Sequence, residues 1–331
     1  MGESASEVRD ASGAKAPALI GNRFRVLDHV GSGAMGVVYR AEDTVLGRVV
    51  ALKVLTASRT DAVSLARFRK EACALAQVRH ENVVRLYSLG EHRGVPYFAM
   101  QYVEGPDLAT IIGEHVRRGE TVATARALDI VRQISAGLGA VHAHNLVHRD
   151  VKPNNVVIDK RTGRPILVDF GLARRRTASS PKLSSIGGTP SYMAPEQASD
   201  ASGMRVSARS DLYALACTAF ELLTGRTVFH GETGFAVLVA HAHTPAPRIS
   251  SVRPELAPFD DAFARALAKS PDERQETCAA FVEELEEAAR RIGASQLPTP
   301  PPAPASDGVR VLVFAPNDDV RTTIVPVLGR A

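Results

Sequence analysis

At 331 residues the chain has room for about two domains and for a core that needs neither metal nor disulfide to hold it. Hydrophobic residues at 45% and charged residues at 23% are ordinary globular values, which exclude a wholly disordered chain, a collagen-like chain and a coiled coil. A net charge of +4 is too small for a dedicated nucleic-acid binder, so no nucleic-acid partner is expected.

No run of about 18 apolar residues occurs, so no membrane span is expected. The first residues lack the basic and apolar regions of a signal peptide. Cys73, Cys217 and Cys278 are far apart and form no C-x-x-C pair, which argues against a disulfide framework and a zinc ribbon. A reducing cytoplasm fits that pattern best. An excess of Arg over Lys and abundant Ala point to a bacterial chain from a GC-rich genome.

Residues 1–21 read as a flexible tail. From Asn22 the texture is that of strands: Phe24, Val26 and Leu27 open a run, Gly31-Ser32-Gly33-Ala34-Met35-Gly36 interrupts it, and Val37-Val38-Tyr39 resumes it. Arg48–Leu55 is a second β-branched run. Leu65, Phe68, Cys73, Leu75 and Val78 fall near one face of a helix over 64–78. Val83–Leu89 and Tyr97–Val103 predict two more strands.

Past Gly105-Pro106 the pattern turns helical, with a long periodic segment over Ala125–Ala143. Short strands are expected at Asn155–Ile158 and Ile166–Val168. Residues 174–188, rich in Arg, Ser, Thr and Gly, have no hydrophobic period and predict a surface loop. Helices are expected over Ser210–Thr224, Pro258–Ala268 and Cys278–Ile292. Strands first and helices later predict a two-part α+β architecture. Residues 293–308 include a Pro-rich spacer, and a short apolar strand with a following helix is expected over 309–331.

Five motifs carry chemistry. They are Gly31-x-Gly33-x-x-Gly36-x-Val38, Val50-Ala51-Leu52-Lys53, His148-Arg149-Asp150-Val151-Lys152-Pro153-Asn154-Asn155, Asp169-Phe170-Gly171 and Ala194-Pro195-Glu196. Any one alone is weak, since a lone G-x-G-x-x-G is more often a tight turn. All five occur in order and at workable spacing. Glycines let backbone N–H groups approach phosphates where a Cβ would clash. Lys53 lies in an apolar run, where an unpaired ammonium is expensive. Asp150 is a candidate to accept or orient a proton, and Asn155 and Asp169 offer the oxygens that Mg²⁺ prefers. His142, His144 and His148 lie close together, but no cysteine or carboxylate set completes a metal cluster.

On these motifs the chain resembles the protein kinase superfamily, and within it the bacterial eukaryotic-type (Hanks-type) Ser/Thr kinases, over roughly residues 22–290. The resemblance implies a bilobal α+β fold. An antiparallel-sheet N-lobe with one main helix would occupy 22–104, and a mainly helical C-lobe 105–292. It implies ATP with Mg²⁺, or alternatively Mn²⁺, protein substrates with Ser or Thr acceptors, and a place in signal transduction.

Residue by residue, it implies Asp150, Lys152, Lys53 and Glu71 as the catalytic set. Glu71 would pair with Lys53; its competing reading is a solvated charged face beside Arg69 and Lys70. Gly31, Ser32, Gly33, Ala34 and Gly36 would cradle phosphates. Val38, Ala51 and Val157 would sandwich the adenine, with Met100 as gatekeeper and the backbone of Gln101 and Val103 reading its edge. Asp107 would touch ribose or substrate, and Asn155 and Asp169 would hold the metal. His148, Phe170, Leu75 and Leu86 would stack between the lobes, Asp211 would hold the backbone of His148-Arg149, and Glu196 would pair with Arg274.

Arg149 and Arg174–Arg176 face Thr177, Ser179, Ser180, Ser184 and Ser185 in sequence, which implies activation by autophosphorylation in 177–185 and self-association to achieve it. The rivals are an inactive binding module of the same shape and a small-molecule phosphotransferase; the second usually lacks the Gly188-Thr189-Pro190 and Ala194-Pro195-Glu196 segments. Val309–Ala331 resembles the start of a response-regulator receiver domain, with Ala315, Pro316 and Asn317 where receivers carry acidic residues. That piece is either part of a further domain or a tail packing on the rest.

Overall fold

The computed structural model describes residues 19–33, 36–55, 69–70, 72–170, 190–198 and 205–291. Ala34, Glu71, the 174–188 loop and everything from 292 onward therefore lie outside the described residues.

Six strands form one antiparallel sheet: β1 (Leu19–Ile20), β2 (Phe24–Gly33), β3 (Gly36–Asp43), β4 (Arg48–Leu55), β5 (Leu86–His92) and β6 (Val95–Gln101), in the order β1-β2-β3-β4-β6-β5. Pairing starts at Leu19, inside the segment read from sequence as tail. Strand β4 is the centre of the design. Side chains alternate across a strand, and here both faces are covered. Val50 and Leu52 pack with Phe24, Ala41, Tyr97 and Ala99 on one face. Ala51 packs with Leu75, Phe98, Met100 and Phe170 on the other. By that alternation Lys53 shares the Ala51 face, which looks toward the helical half. Residues 69–70 and 72–75 are helical.

The helical half contains α1 (Leu108–Arg117), α2 (Thr124–His142), α3 (Pro195–Ala198), α4 (Ala208–Thr224), α5 (Gly234–His243), α6 (Asp260–Ala266) and α7 (Cys278–Arg291). A hairpin of β7 (Val156–Ile158) and β8 (Pro165–Leu167) lies between α2 and α3 in the chain. Helix α4 is buried along nearly its whole length, so its sequence shows no clean amphipathic period. Ser207 and Ser210 close its N-terminus as a capping box, and Gly225 ends it in the left-handed conformation. The helix expected over 258–268 is split: a 3₁₀ stretch runs over Pro254–Phe259, and α6 begins only at Asp260. No helix among the described residues is long and apolar enough to cross a membrane.

Two joins between the halves stand out among the described residues. One join is the chain itself, leaving β6 at Gln101 and entering α1 at Leu108. The other is residues 82–84. Asn82 Nδ2 donates to Gln133 Oε1 on α2 (3.2 Å) and to Pro165 O (2.8 Å). Leu167 N–H donates to Asn82 O, and Val84 N–H to Leu167 O. Gly137 on α2 makes room: a Cβ there would stand 3.1 Å from Asn82 O.

Below α4 sits a buried histidine. His241 Nδ1 lies 2.9 Å from the Tyr213 hydroxyl, its ring packs edge-on to Phe229, and Lys269 Nζ donates to the His241 carbonyl (2.9 Å). Burial, then the nearby Lys269 ammonium, push its pKa from 6.5 down to about 4. Between those values the unfolded chain binds a proton that the folded chain does not, so stability rises with pH across the window. Acidification from pH 6.5 to about 4 is expected to remove up to about 3 kcal/mol through this group. Urea midpoints at about pH 5 and about pH 7 check this: His241→Leu should depend less on pH than the wild type over that interval.

Candidate active site

The segment His148–Asn155 precedes β7 and is pinned from beneath. Asp211, in the first turn of α4, accepts the backbone N–H of His148 through Oδ2 and of Arg149 through Oδ1, both at 2.7 Å. His142 Nε2, at the end of α2, lies 2.8 Å from the same carboxylate. This turn holds Arg149 at φ 66°, left-handed backbone that a non-glycine residue keeps only when its surroundings impose it.

His148 is fully buried and packs on Phe170, ring centroids 4.3 Å apart. Phe170 continues into Leu75 and Leu86, which completes the expected apolar stack. Burial lowers the His148 pKa and keeps the ring neutral. Its Nδ1 can then accept the Asp150 N–H (3.3 Å).

Asp150, Lys152 and Asn155 converge. Lys152 Nζ lies 3.0 Å from Asp150 Oδ2. Asn155 Nδ2 donates to Asp150 O (2.7 Å) and Oδ2 (2.9 Å), so the Asn155 side chain presents its carbonyl oxygen elsewhere. Val168 N–H donates to the Asn155 backbone carbonyl, which ties the segment entering Asp169 to that of Asn155. Asp169 also has a positive φ, 55°. Its carboxylate meets Lys53 Nζ, so a side chain from β4 reaches across the cleft. Lys53 is 5% exposed and Asp169 38%, so the carboxylate remains open to an incoming group. Glu71, the expected partner of Lys53, lies outside the described residues.

Above the cleft, β2 and β3 close on Gly31↔Val38, Ser32↔Val37 and Gly33↔Gly36. Gly36 sits at φ 154°, and a Cβ there would collide with the Val54 carbonyl. At Gly31 a Cβ would meet nothing within 4 Å. Nothing among the described residues requires glycine at 31, whereas a phosphate drawn against the backbone would. Gly36→Ala is therefore expected to destabilise the fold by about 1–3 kcal/mol. Gly31→Ala should leave the thermal midpoint in place and weaken nucleotide binding. Paired melts and ATP titrations check the contrast.

Val38, Ala51 and Met100 line the same region, with Ala51 paired to Met100 across β4 and β6. Val157 stands on β7, opposite Asp107 in an isolated bridge. The Gln101 N–H is taken by Arg85 O (2.8 Å), so only the carbonyl of that residue can serve an adenine edge. Val103 packs against the cleft-side cluster. Asp107 caps α1, accepting from Thr110 N at 2.7 Å, a local role beside the ribose contact expected of it.

The three nearby histidines make separate contacts: His142 with Asp211, His144 with Ala140 O, His148 with Phe170. No group of metal-ligating side chains stands preassembled among the described residues. The donor set nonetheless fits a nucleotide and a hard cation: a glycine at 31 with open space where a Cβ would stand, a buried lysine, a half-exposed carboxylate and an amide oxygen.

Glu196 and Arg274 form a pair with both side chains 0% exposed, at 2.8 and 2.9 Å. Arg274 also donates to the carbonyls of Ala268, Arg209 and Lys269. Tyr192 donates to Glu221. A further contact also had no sequence expectation. Gln197, on α3, donates to Arg149 O. Its spacing from Ala194 signals a helix cap, but nothing local signals its reach to the loop of Asp150.

A family model described as "Protein kinase domain" matches residues 24–299. Serine/threonine-protein kinase PknE of Mycobacterium tuberculosis is 37% identical over 304 residues, covering 87% of this chain and 52% of its own length. Serine/threonine-protein kinase Pkn1 of Myxococcus xanthus is 38% identical over 301 residues, covering 88% of this chain and 41% of its own. This chain thus spans about half the length of these relatives. Among solved structures, the M. tuberculosis PknI kinase domain superposes with a TM-score of 0.67 at 30% identity, over 84% of this chain and 99% of that one.

Proposed function

This chain belongs to the protein kinase family, which uses ATP and a divalent cation, and from that premise we propose that it transfers the γ-phosphoryl group of MgATP to Ser and Thr hydroxyls of proteins. The observation that carries the reading is the convergence on Asp150 of Lys152 and Asn155, with the Lys53–Asp169 pair beside them.

In this reading Asp150 orients the acceptor hydroxyl and takes its proton at the carboxylate. Lys152, already 3.0 Å from that carboxylate, offsets charge gathering on the attacked phosphoryl oxygens. Lys53 would serve the α- and β-phosphates, and Asn155 and Asp169 would hold the cation. Bound there, ATP supplies the phosphoryl group and the cation neutralises phosphate charge. Gly31, Ser32, Gly33, Ala34 and Gly36 would cover the phosphates. Val38, Ala51, Met100, Gln101, Val103 and Val157 would receive the base, and Asp107 would stand near the ribose.

Lys152 and the Thr189-Pro190 segment favour Ser and Thr over Tyr as acceptors by family resemblance. We assign autophosphorylation to residues 177–185, where a phosphate would meet Arg149 and Arg174–Arg176, with a second copy of the chain as partner. The unpaired thiols of Cys73, Cys217 and Cys278 support a cytoplasmic setting.

The test is transfer of label from ATP with Mg²⁺, and separately Mn²⁺, to the chain itself and to a generic protein substrate. Phosphoamino-acid analysis then separates Ser/Thr from Tyr. Label on a sugar or other small molecule in place of protein would overturn the reading.

A further inference from the structure

Arg149, the residue immediately before Asp150, is held at both its backbone groups by side chains of other segments. On its N-terminal side Asp211 Oδ1 takes the Arg149 N–H at 2.7 Å. On its C-terminal side Gln197 Nε2 donates to the Arg149 carbonyl at 3.0 Å. That carbonyl belongs to the Arg149–Asp150 peptide, so its direction fixes the plane from which the Asp150 side chain departs. Arg149 is in left-handed backbone (φ 66°), a conformation that would relax if its anchors were removed.

Gln197 has a second bond that settles which way its amide faces. Its Oε1 accepts the Ala194 N–H at 3.1 Å, the side-chain half of a capping box at the start of α3. With the oxygen committed to an N–H, the nitrogen is the atom presented to Arg149 O. A glutamine is the one residue of this length that supplies an acceptor to the cap and a donor to the carbonyl at once. The segment that supplies it is the same one that carries Glu196, anchored on buried Arg274.

We propose that Gln197 is a positioning residue for Asp150: it transmits the seating of the 190–198 segment to the catalytic loop by holding the Arg149 carbonyl. This rests on the reading of Asp150 as the proton acceptor. A plain capping role is the alternative, and one substitution separates the two. Gln197→Glu keeps a cap acceptor for Ala194 N–H but sets a carboxylate oxygen against Arg149 O. Gln197→Ala removes both bonds.

The experiment measures three quantities on the full chain and both variants: kcat and KM for ATP, the thermal midpoint, and hydrogen–deuterium exchange of peptides covering 146–156. The proposal expects Gln197→Glu to lower kcat by about tenfold, the scale of one lost hydrogen bond. KM for ATP and the melt should stay near wild type, while exchange across 146–156 quickens. Gln197→Ala should show the same loop exchange and a lower melt. Wild-type kcat in Gln197→Glu, or unchanged loop exchange in both variants, overturns the proposal. A wild-type chain that binds ATP without transferring label would overturn the kinase reading. The exchange data would then decide by themselves whether Gln197 holds the loop.

Discussion

Asp150→Asn is expected to lower phosphate transfer about 10³-fold while leaving ATP affinity and the thermal midpoint near wild type. The substitution is isosteric. An asparagine oxygen can still accept from Lys152 and Asn155, which meet Asp150 Oδ2 at 3.0 and 2.9 Å. The backbone anchors do not change either, because Asp211 holds the N–H groups of His148 and Arg149. In the proposed reading, what disappears is the carboxylate oxygen that takes up the hydroxyl proton. Lys53 and Asp169, which would meet the phosphates and cation, are untouched. Single-turnover transfer measured beside an ATP-binding titration checks the split. Activity within tenfold of wild type would place the proton acceptor elsewhere.

Arg274→Ala is expected to cost about 3–5 kcal/mol of stability, the scale for removing one partner of a buried ion pair. Glu196 would be left fully buried with a hydroxyl from Ser210 (2.7 Å) against a full negative charge. The carbonyls of Ala268, Arg209 and Lys269 would lose their donors as well. These carbonyls distinguish the site from an isolated pair. Replacing an isolated pair by apolar residues is often neutral. Here the double variant Glu196→Met/Arg274→Met should recover only part of the loss, since a methionine pair cannot satisfy three carbonyls. Urea denaturation of Glu196→Met, Arg274→Met and the double gives the cycle. A single variant within about 1 kcal/mol of wild type would show that the pair is not a structural anchor.

Much of this was legible in the sequence because its signals are short-range. Val50-Ala51-Leu52-Lys53 reads as a buried strand, and β4 is covered on both faces. The spacing of Asp150, Lys152 and Asn155 puts three candidate groups within six residues, so any turn joining them brings them together. The pairing of Glu196 with Arg274, 78 residues apart, came through family resemblance alone. Helix α5 went unread: its Gly234–His243 sequence is apolar nearly all round, and Phe235 and Val239 are exposed, so no face stands out. The split before α6 was missed because Pro258 suits the interior of a 3₁₀ stretch and the first turn of an α-helix alike. Gln197 was invisible for another reason. Its target lies 48 residues away and is a backbone carbonyl, which has no residue identity to read.

The double join between the halves has a mechanical consequence. A body attached to another at a single point can swing and twist in every direction. Attached at two, it retains one free rotation, about the line through both. Here one attachment is the strand leaving Gln101, and the other is Asn82–Val84 bonded to Leu167, Pro165 and Gln133. Two such joins favour a hinge about the line through both over other motions of the cleft. The Lys53–Asp169 contact also crosses between the halves, so any opening of the cleft must separate these two charges.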